Sequence, residues 1–156
     1  MTTNDDGSGQ IEVLLIEDSP RDVHLTQAAF QEANRSVHLN VANDGVEAMA
    51  FLGQKGEHAK APRPDLILLD LNLPRMDGRE VLARIKEDRV LKTIPTVVLT
   101  SSEAEVDIVK SYRLQANCYL SKPVQLEEFE SLVRSINKFW LTRAQLPQLP
   151  QQVPGE

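Results

Sequence analysis

Cysteine is nearly missing from this sequence. Cys118 is the single thiol in 156 residues, so an internal disulfide and a cysteine-based zinc cluster are excluded. An excess of basic charge is missing too. Lys and Arg number 17 against 23 Asp and Glu, a formal net charge of −6, and the isoelectric point is about 5.1. No broad basic face for nucleic acid is expected from such a balance. Long apolar stretches are absent; runs such as Leu66–Leu69 are far too short to cross a bilayer. Residues 1–10 are acidic and rich in Gly and Ser, the opposite of a signal peptide's basic and apolar regions. The three histidines, His24, His38 and His58, are scattered without ligand spacing and are expected on solvated surfaces. These absences point to the cytoplasm, with no direct partner in nucleic acid or membrane.

What is present suffices for one ordinary globular domain, with 41% apolar and 26% charged residues. The expected organisation is a flexible N-terminal tail over 1–10, a domain over 11–142, and a Pro/Gln-rich flexible tail over 143–156. Within the domain, short apolar runs alternate with helical patterns. Val13–Ile16 reads as a buried strand that stops at Glu17-Asp18. Ser19-Pro20 then opens a helix, with Ser19 as N-cap and Asp22 three residues after it. Val37–Ala42 is a second strand, and Asn43-Asp44-Gly45 turns into a helix ending near Leu52. Gly53–Pro64 reads as a loop.

Leu66–Leu69 is the most apolar strand and ends at Asp70. After a loop over Asn72–Gly78, a helix carries Val81, Leu82 and Ile85 on one face. Thr96–Leu99 is a strand ending at Thr100, Val106 to about Leu114 a helix, and Cys118–Leu120 a short strand ahead of Lys122-Pro123. The last helix puts Leu126, Phe129, Leu132, Val133, Ile136 and Trp140 on one stripe. Cys118 reads as a core residue. Five strand–helix units in alternation imply a parallel sheet covered on both faces. Right-handed crossovers put all strand C-termini on one edge.

At that edge fall Glu17-Asp18, Asp70, Thr100 and Lys122. In open α/β sheets ligands sit there, at the switch point of the strand order. Clustered carboxylates repel: two of them about 4 Å apart at an effective dielectric of about 20 cost about 4 kcal/mol. A cation must offset that, and all-oxygen ligands favour Mg²⁺ or a similar hard ion. Asp70 is then free to attack phosphorus and form an acyl phosphate. Lys122 can bring an ammonium, and Thr100 a hydroxyl, to the phosphoryl oxygens. Each residue also has an ordinary structural explanation. Asp70 and Thr100 could be caps, Glu17-Asp18 could serve a helix dipole, and Lys122 could be a solvated loop residue. Four such coincidences at four strand ends are much harder to accept.

As a set, Glu17-Asp18, the run Asp70-Leu71-Asn72-Leu73-Pro74-Arg75-Met76-Asp77-Gly78, Thr100-Ser101 and Lys122-Pro123 resemble the receiver domain of bacterial response regulators. The resemblance covers about residues 11–140. It implies a flavodoxin-like receiver fold: a five-stranded parallel sheet in the order 2-1-3-4-5 with five helices on both faces. It implies that Asp70 is phosphorylated from a phosphohistidine on a partner histidine kinase or phosphotransfer protein. By position, Asp18 and Asp70 would ligate Mg²⁺ directly, Asn72 through its backbone carbonyl and Glu17 through water. Thr100 and Lys122 would be the catalytic contacts to the phosphoryl group, and the Lys122–Pro123 bond would be cis. Tyr119 matches the family's aromatic switch position. Thr100 would move toward the phosphate and Tyr119 would turn inward, remodelling the face of the fourth helix, fifth strand and fifth helix.

A narrower resemblance is carried by Ala61-Pro62-Arg63-Pro64-Asp65, Ser111-Tyr112, Ala116-Asn117 with Lys122-Pro123-Val124, and Phe139-Trp140-Leu141. These look like the small cyanobacterial response regulators paired with phytochrome kinases, which implies a light-driven input. Too few residues follow Leu141 for an output module, so a stand-alone regulator acting by protein contact or self-association is expected. Phe139, Trp140 and Leu141 are consecutive, and one helical face cannot bury all three. They are the candidate homodimer interface. The alternatives are a phosphatase of the haloacid-dehalogenase type, a receiver-like binding module that works without phosphorylation, and a nucleotide-binding flavodoxin-like protein. The first needs an Asp where Asn72 stands. The last lacks a glycine-rich turn at Glu17-Asp18-Ser19-Pro20. Beyond self-catalysed phosphorylation and dephosphorylation, no enzymatic turnover is expected.

Overall fold

The structure is a computed structural model that describes residues 10–34, 36–101, 113, 116–123 and 125–140. Five strands form one sheet: β1 (Ile11–Ile16), β2 (Val37–Ala42), β3 (Leu66–Leu69), β4 (Thr96–Thr100) and β5 (Cys118–Ser121), in the order β2-β1-β3-β4-β5. Every pairing is parallel. Four described helices cover it: α1 (Pro20–Ala33), α2 (Gly45–Gly53), α3 (Gly78–Glu87) and α4 (Leu126–Lys138). Apart from Arg113, the helix expected over Val106–Leu114 lies outside the described residues, as do Leu141 and nearly all of both tails.

Side chains alternate along the strands, so β1 and β3 feed two separate cores. Leu14, Ile16, Ile67, Leu69 and Val98 pack with α2 and α3. Val13, Leu15, Leu66, Leu68 and Val97 face α1 and α4 on the other side. Both faces being covered is why the central strands read as continuous apolar runs. On α4, Phe129, Val133 and Ile136 are buried, each contributing about 1.5–3 kcal/mol relative to exposure. Leu126 belongs to the expected stripe but is 46% exposed. It is the first residue of α4.

The helix starts follow their capping residues. Ser19 accepts from the Asp22 N–H at the head of α1, Asp44 from Glu47 at α2, and Asp77 from Arg79 at α3. Inside the loop expected over Gly53–Pro64, Gly56–His58 forms a single 3₁₀ turn, and Leu91–Thr93 forms another.

Candidate functional site

Backbone hydrogen bonds carry the sheet one residue past its strand ends. Glu17 N donates to Ala42 O at 3.0 Å, Asp70 N to Ile16 O at 3.0 Å and Lys122 N to Thr100 O at 2.9 Å. The residues expected to carry chemistry are therefore set by strand register rather than by loop conformation. β1 pairs with β2 on one side and β3 on the other, so the order reverses beside Glu17 and Asp70.

Asp70 is buried, and both its oxygens are engaged. Oδ1 accepts from Thr100 Oγ1 at 2.8 Å and from the Asn72 N–H at 3.0 Å, while Oδ2 accepts from Lys122 Nζ at 2.9 Å. Asn72 Nδ2 lies 3.4 Å from Thr100 Oγ1. Lys122 Nζ donates to three carboxylates: Glu17 Oε1 at 2.7 Å, Asp22 Oδ2 at 2.8 Å and Asp70 Oδ2 at 2.9 Å. Burial works to lower the Lys122 pKa. The hydrogen bonds to Asp22 and Glu17 and the charge of Asp70 outweigh it and hold the ammonium above its usual range. Glu17 is also buried, with Oε2 accepting from Ser19 N at 3.1 Å. Burial pushes its carboxyl up to about 7, assisted by the Asp70 charge and opposed by the Lys122 bond.

Asp18 is exposed beside this pair. One oxygen from each of Glu17, Asp18 and Asp70 lies within 4.8 Å of the others. An all-oxygen, largely anionic donor set of this size suits a hard divalent cation. The loop after Asp70 is tightly drawn in. A Cβ on Gly78 would overlap the Asp70 carbonyl oxygen. Arg75 takes a left-handed φ of 65° and ion-pairs with Asp44 at 2.8 Å.

Glu17, Asp18, Asp70, Asn72, Thr100 and Lys122 thus come together at one edge. Tyr119 is half-buried on β5, opposite Val98 in register and packed against the α2–α3 core. One expectation is corrected. No described peptide bond is cis, so Lys122–Pro123 is trans. The trans form of an X–Pro bond is favoured by about 0.5–1 kcal/mol. At the far end of α4, Phe139 is 57% exposed, whereas Trp140 packs against the α1–α4 core. Asp22 was not singled out from the sequence as a member of the site. Its first-turn place in α1 explained it fully, and its partner is 100 positions away.

The response regulator receiver domain family model matches residues 13–134. The chain is 50% identical over 135 residues to response regulator Rcp1 of Synechocystis sp., covering 86% of this chain and 92% of that protein. Among solved structures, the phosphorylated cyanobacterial phytochrome response regulator RcpA matches with a TM-score of 0.87 at 49% identity, covering 89% of this chain and 99% of that one. The Mn²⁺-bound form of Rcp1 matches with a TM-score of 0.85 at 48% identity, covering 88% and 99%. With its parallel sheet, its acidic edge and these relatives, the chain belongs to the response regulator receiver domain family.

Proposed function

We propose that this protein is a phosphorylation switch whose acceptor is Asp70. The observation that carries this reading is the setting of the Asp70 carboxylate. Thr100 Oγ1 and Lys122 Nζ hold its two oxygens at 2.8 and 2.9 Å, with Glu17 and Asp18 oxygens close by. Glu17, Asp18 and Asp70, with the Asn72 backbone carbonyl, would hold Mg²⁺. When bound, the metal neutralises the carboxylates and the charge of the incoming phosphoryl group. The Mn²⁺-bound relative supports a divalent ion there.

The chain's own residues do the rest. Asp70 supplies the attacking oxygen, fixed in place by the Asn72 N–H. Lys122 and Thr100 are placed to transfer their hydrogen bonds from Asp70 to phosphoryl oxygens, which bear more charge as transfer proceeds. Movement of Thr100 would then be read by Tyr119 on the neighbouring strand. The phosphoryl donor would be a sensor histidine kinase of the phytochrome type, by analogy with the relatives' names. Residues 11–142 would form the receiver domain, with output through protein contact or through a homodimer that uses Phe139 and Trp140.

The test is incubation with Mg²⁺ and phosphoramidate or acetyl phosphate, read by intact mass. One phosphoryl group per chain is expected, absent in Asp70→Asn. Continuous release of phosphate from small esters would instead favour a phosphatase.

A further inference from the structure

The Lys122 ammonium has three N–H donors, and three carboxylates take them. Two of those carboxylates have other duties. Glu17 and Asp70 belong to the oxygen cluster with Asp18, and Asp70 must also bond phosphorus if it is the acceptor. Asp22 stands outside that cluster, and among the described residues its other side-chain oxygen is engaged only by the exposed Arg21. We propose that Asp22 is a positioning residue for phosphoryl transfer, holding Lys122 beside Asp70 while Glu17 and Asp70 change partners. This rests on the reading of Asp70 as phosphoacceptor.

Asp22 is well built for the part. It sits in the first turn of α1, where its N–H donates to the Ser19 cap at 3.3 Å and its carbonyl accepts from Thr26 Oγ1 at 2.7 Å. Its side chain is 13% exposed and that of Lys122 8%, so little water competes for the 2.8 Å contact. Arg21 donates to the other oxygen, Oδ1, at 3.3 Å, which leaves Oδ2 for Lys122. A lysine arm has about 2 kcal/mol of rotamer entropy to lose. An anchor that persists through metal binding and transfer keeps that arm from being reordered at each step. The helix dipole explains an acid at this position. It does not explain why Oδ2 meets an ammonium 100 positions away in the chain.

The experiment uses the full chain with saturating Mg²⁺ and phosphoramidate, in Asp22→Ala, Asp22→Asn, Lys122→Ala and the Asp22→Ala/Lys122→Ala double variant. Circular dichroism first establishes that each is folded. Asp22→Asn keeps an acceptor oxygen and serves if the alanine variant does not fold. Asp22→Ala should slow phosphoryl uptake about tenfold or more, with Asp22→Asn intermediate. The Mg²⁺ concentration for half-saturation should move less than about threefold, and in the Lys122→Ala background removing Asp22 should change the rate less than about twofold. Equal slowing with and without Lys122 would show a merely structural role and overturn the proposal. So would an Asp22→Ala rate within about twofold of the parent chain. If the parent takes up no phosphoryl group, the Asp70 reading fails first. If the parent is phosphorylated and only the Asp22 effect is missing, this inference fails alone.

Discussion

Thr100 and Asp70 are hydrogen-bonded, Oγ1 to Oδ1, at 2.8 Å, across the ends of two neighbouring strands. Both side chains are buried. The contact has a stability consequence separate from signalling. Thr100→Val keeps the shape but leaves the buried Oδ1 with the Asn72 N–H and no hydroxyl. A buried acceptor that loses a donor costs about 1–3 kcal/mol. The urea midpoint should fall accordingly, and phosphoryl uptake should slow. An unchanged midpoint would mean that the contact does not exist in solution.

Lys122→Ala should separate metal from lysine. Without Mg²⁺, the variant leaves the oxygens of Glu17, Asp22 and Asp70 without their ammonium. Breaking a buried ion pair from one side costs about 3–5 kcal/mol. Mg²⁺ supplies replacement charge, so it should raise the melting temperature of Lys122→Ala more than that of the parent, and bind at least as tightly. Phosphoryl uptake should still drop. Weaker Mg²⁺ binding in the variant, by calorimetry, would contradict the roles given to Lys122 and the acids.

Much of this was legible because strand ends are written plainly. Leu66–Leu69 is apolar throughout and Asp70 is not, so the boundary and the edge residue are visible together. The same contrast exposed Glu17 after β1, and strict alternation with helices sufficed for a parallel sheet, whereas the strand order came from the family resemblance. Asp22 stayed hidden because a first-turn acid needs no further explanation until tertiary structure sets Lys122 beside it. Arg63 illustrates the same limit. It reads as a loop charge but is buried, donating to Leu52 O at 2.6 Å. The Pro123 isomer was equally illegible, since the two forms differ by only about 0.5–1 kcal/mol.

Phe139 and Trp140 should respond differently to the same substitution. Phe139 is 57% exposed and Trp140 packs on the core, although their rings touch edge-on at 5.2 Å. Phe139→Glu should leave stability within about 0.5 kcal/mol and abolish the homodimer proposed above, leaving a monomer in sedimentation. Trp140→Glu should instead destabilise the fold by about 2 kcal/mol or more, through a charge set against apolar surface. A dimer mass that persists in Phe139→Glu would remove this residue from the interface.

Glu17 should make the metal-free protein less stable as pH rises. Its carboxyl is raised from 4.5 to about 7 by burial, assisted by the Asp70 charge. Between those values the folded chain holds a proton that the unfolded chain has released. The stabilisation is therefore full below about pH 4.5 and lost as pH rises through about 7. Lys122 is shifted upward and stays charged throughout this window. In chelator, denaturant midpoints should fall from pH 5 to 8 by an amount on the order of 2–3 kcal/mol. Glu17→Gln, which cannot ionise, should show a distinctly flatter profile. Mg²⁺ selects the ionised carboxylate, so its stabilising effect should be larger at pH 8 than at pH 5. Parallel profiles for the parent and Glu17→Gln would show that Glu17 is already ionised at acidic pH, and that the cluster tolerates its full negative charge without a metal.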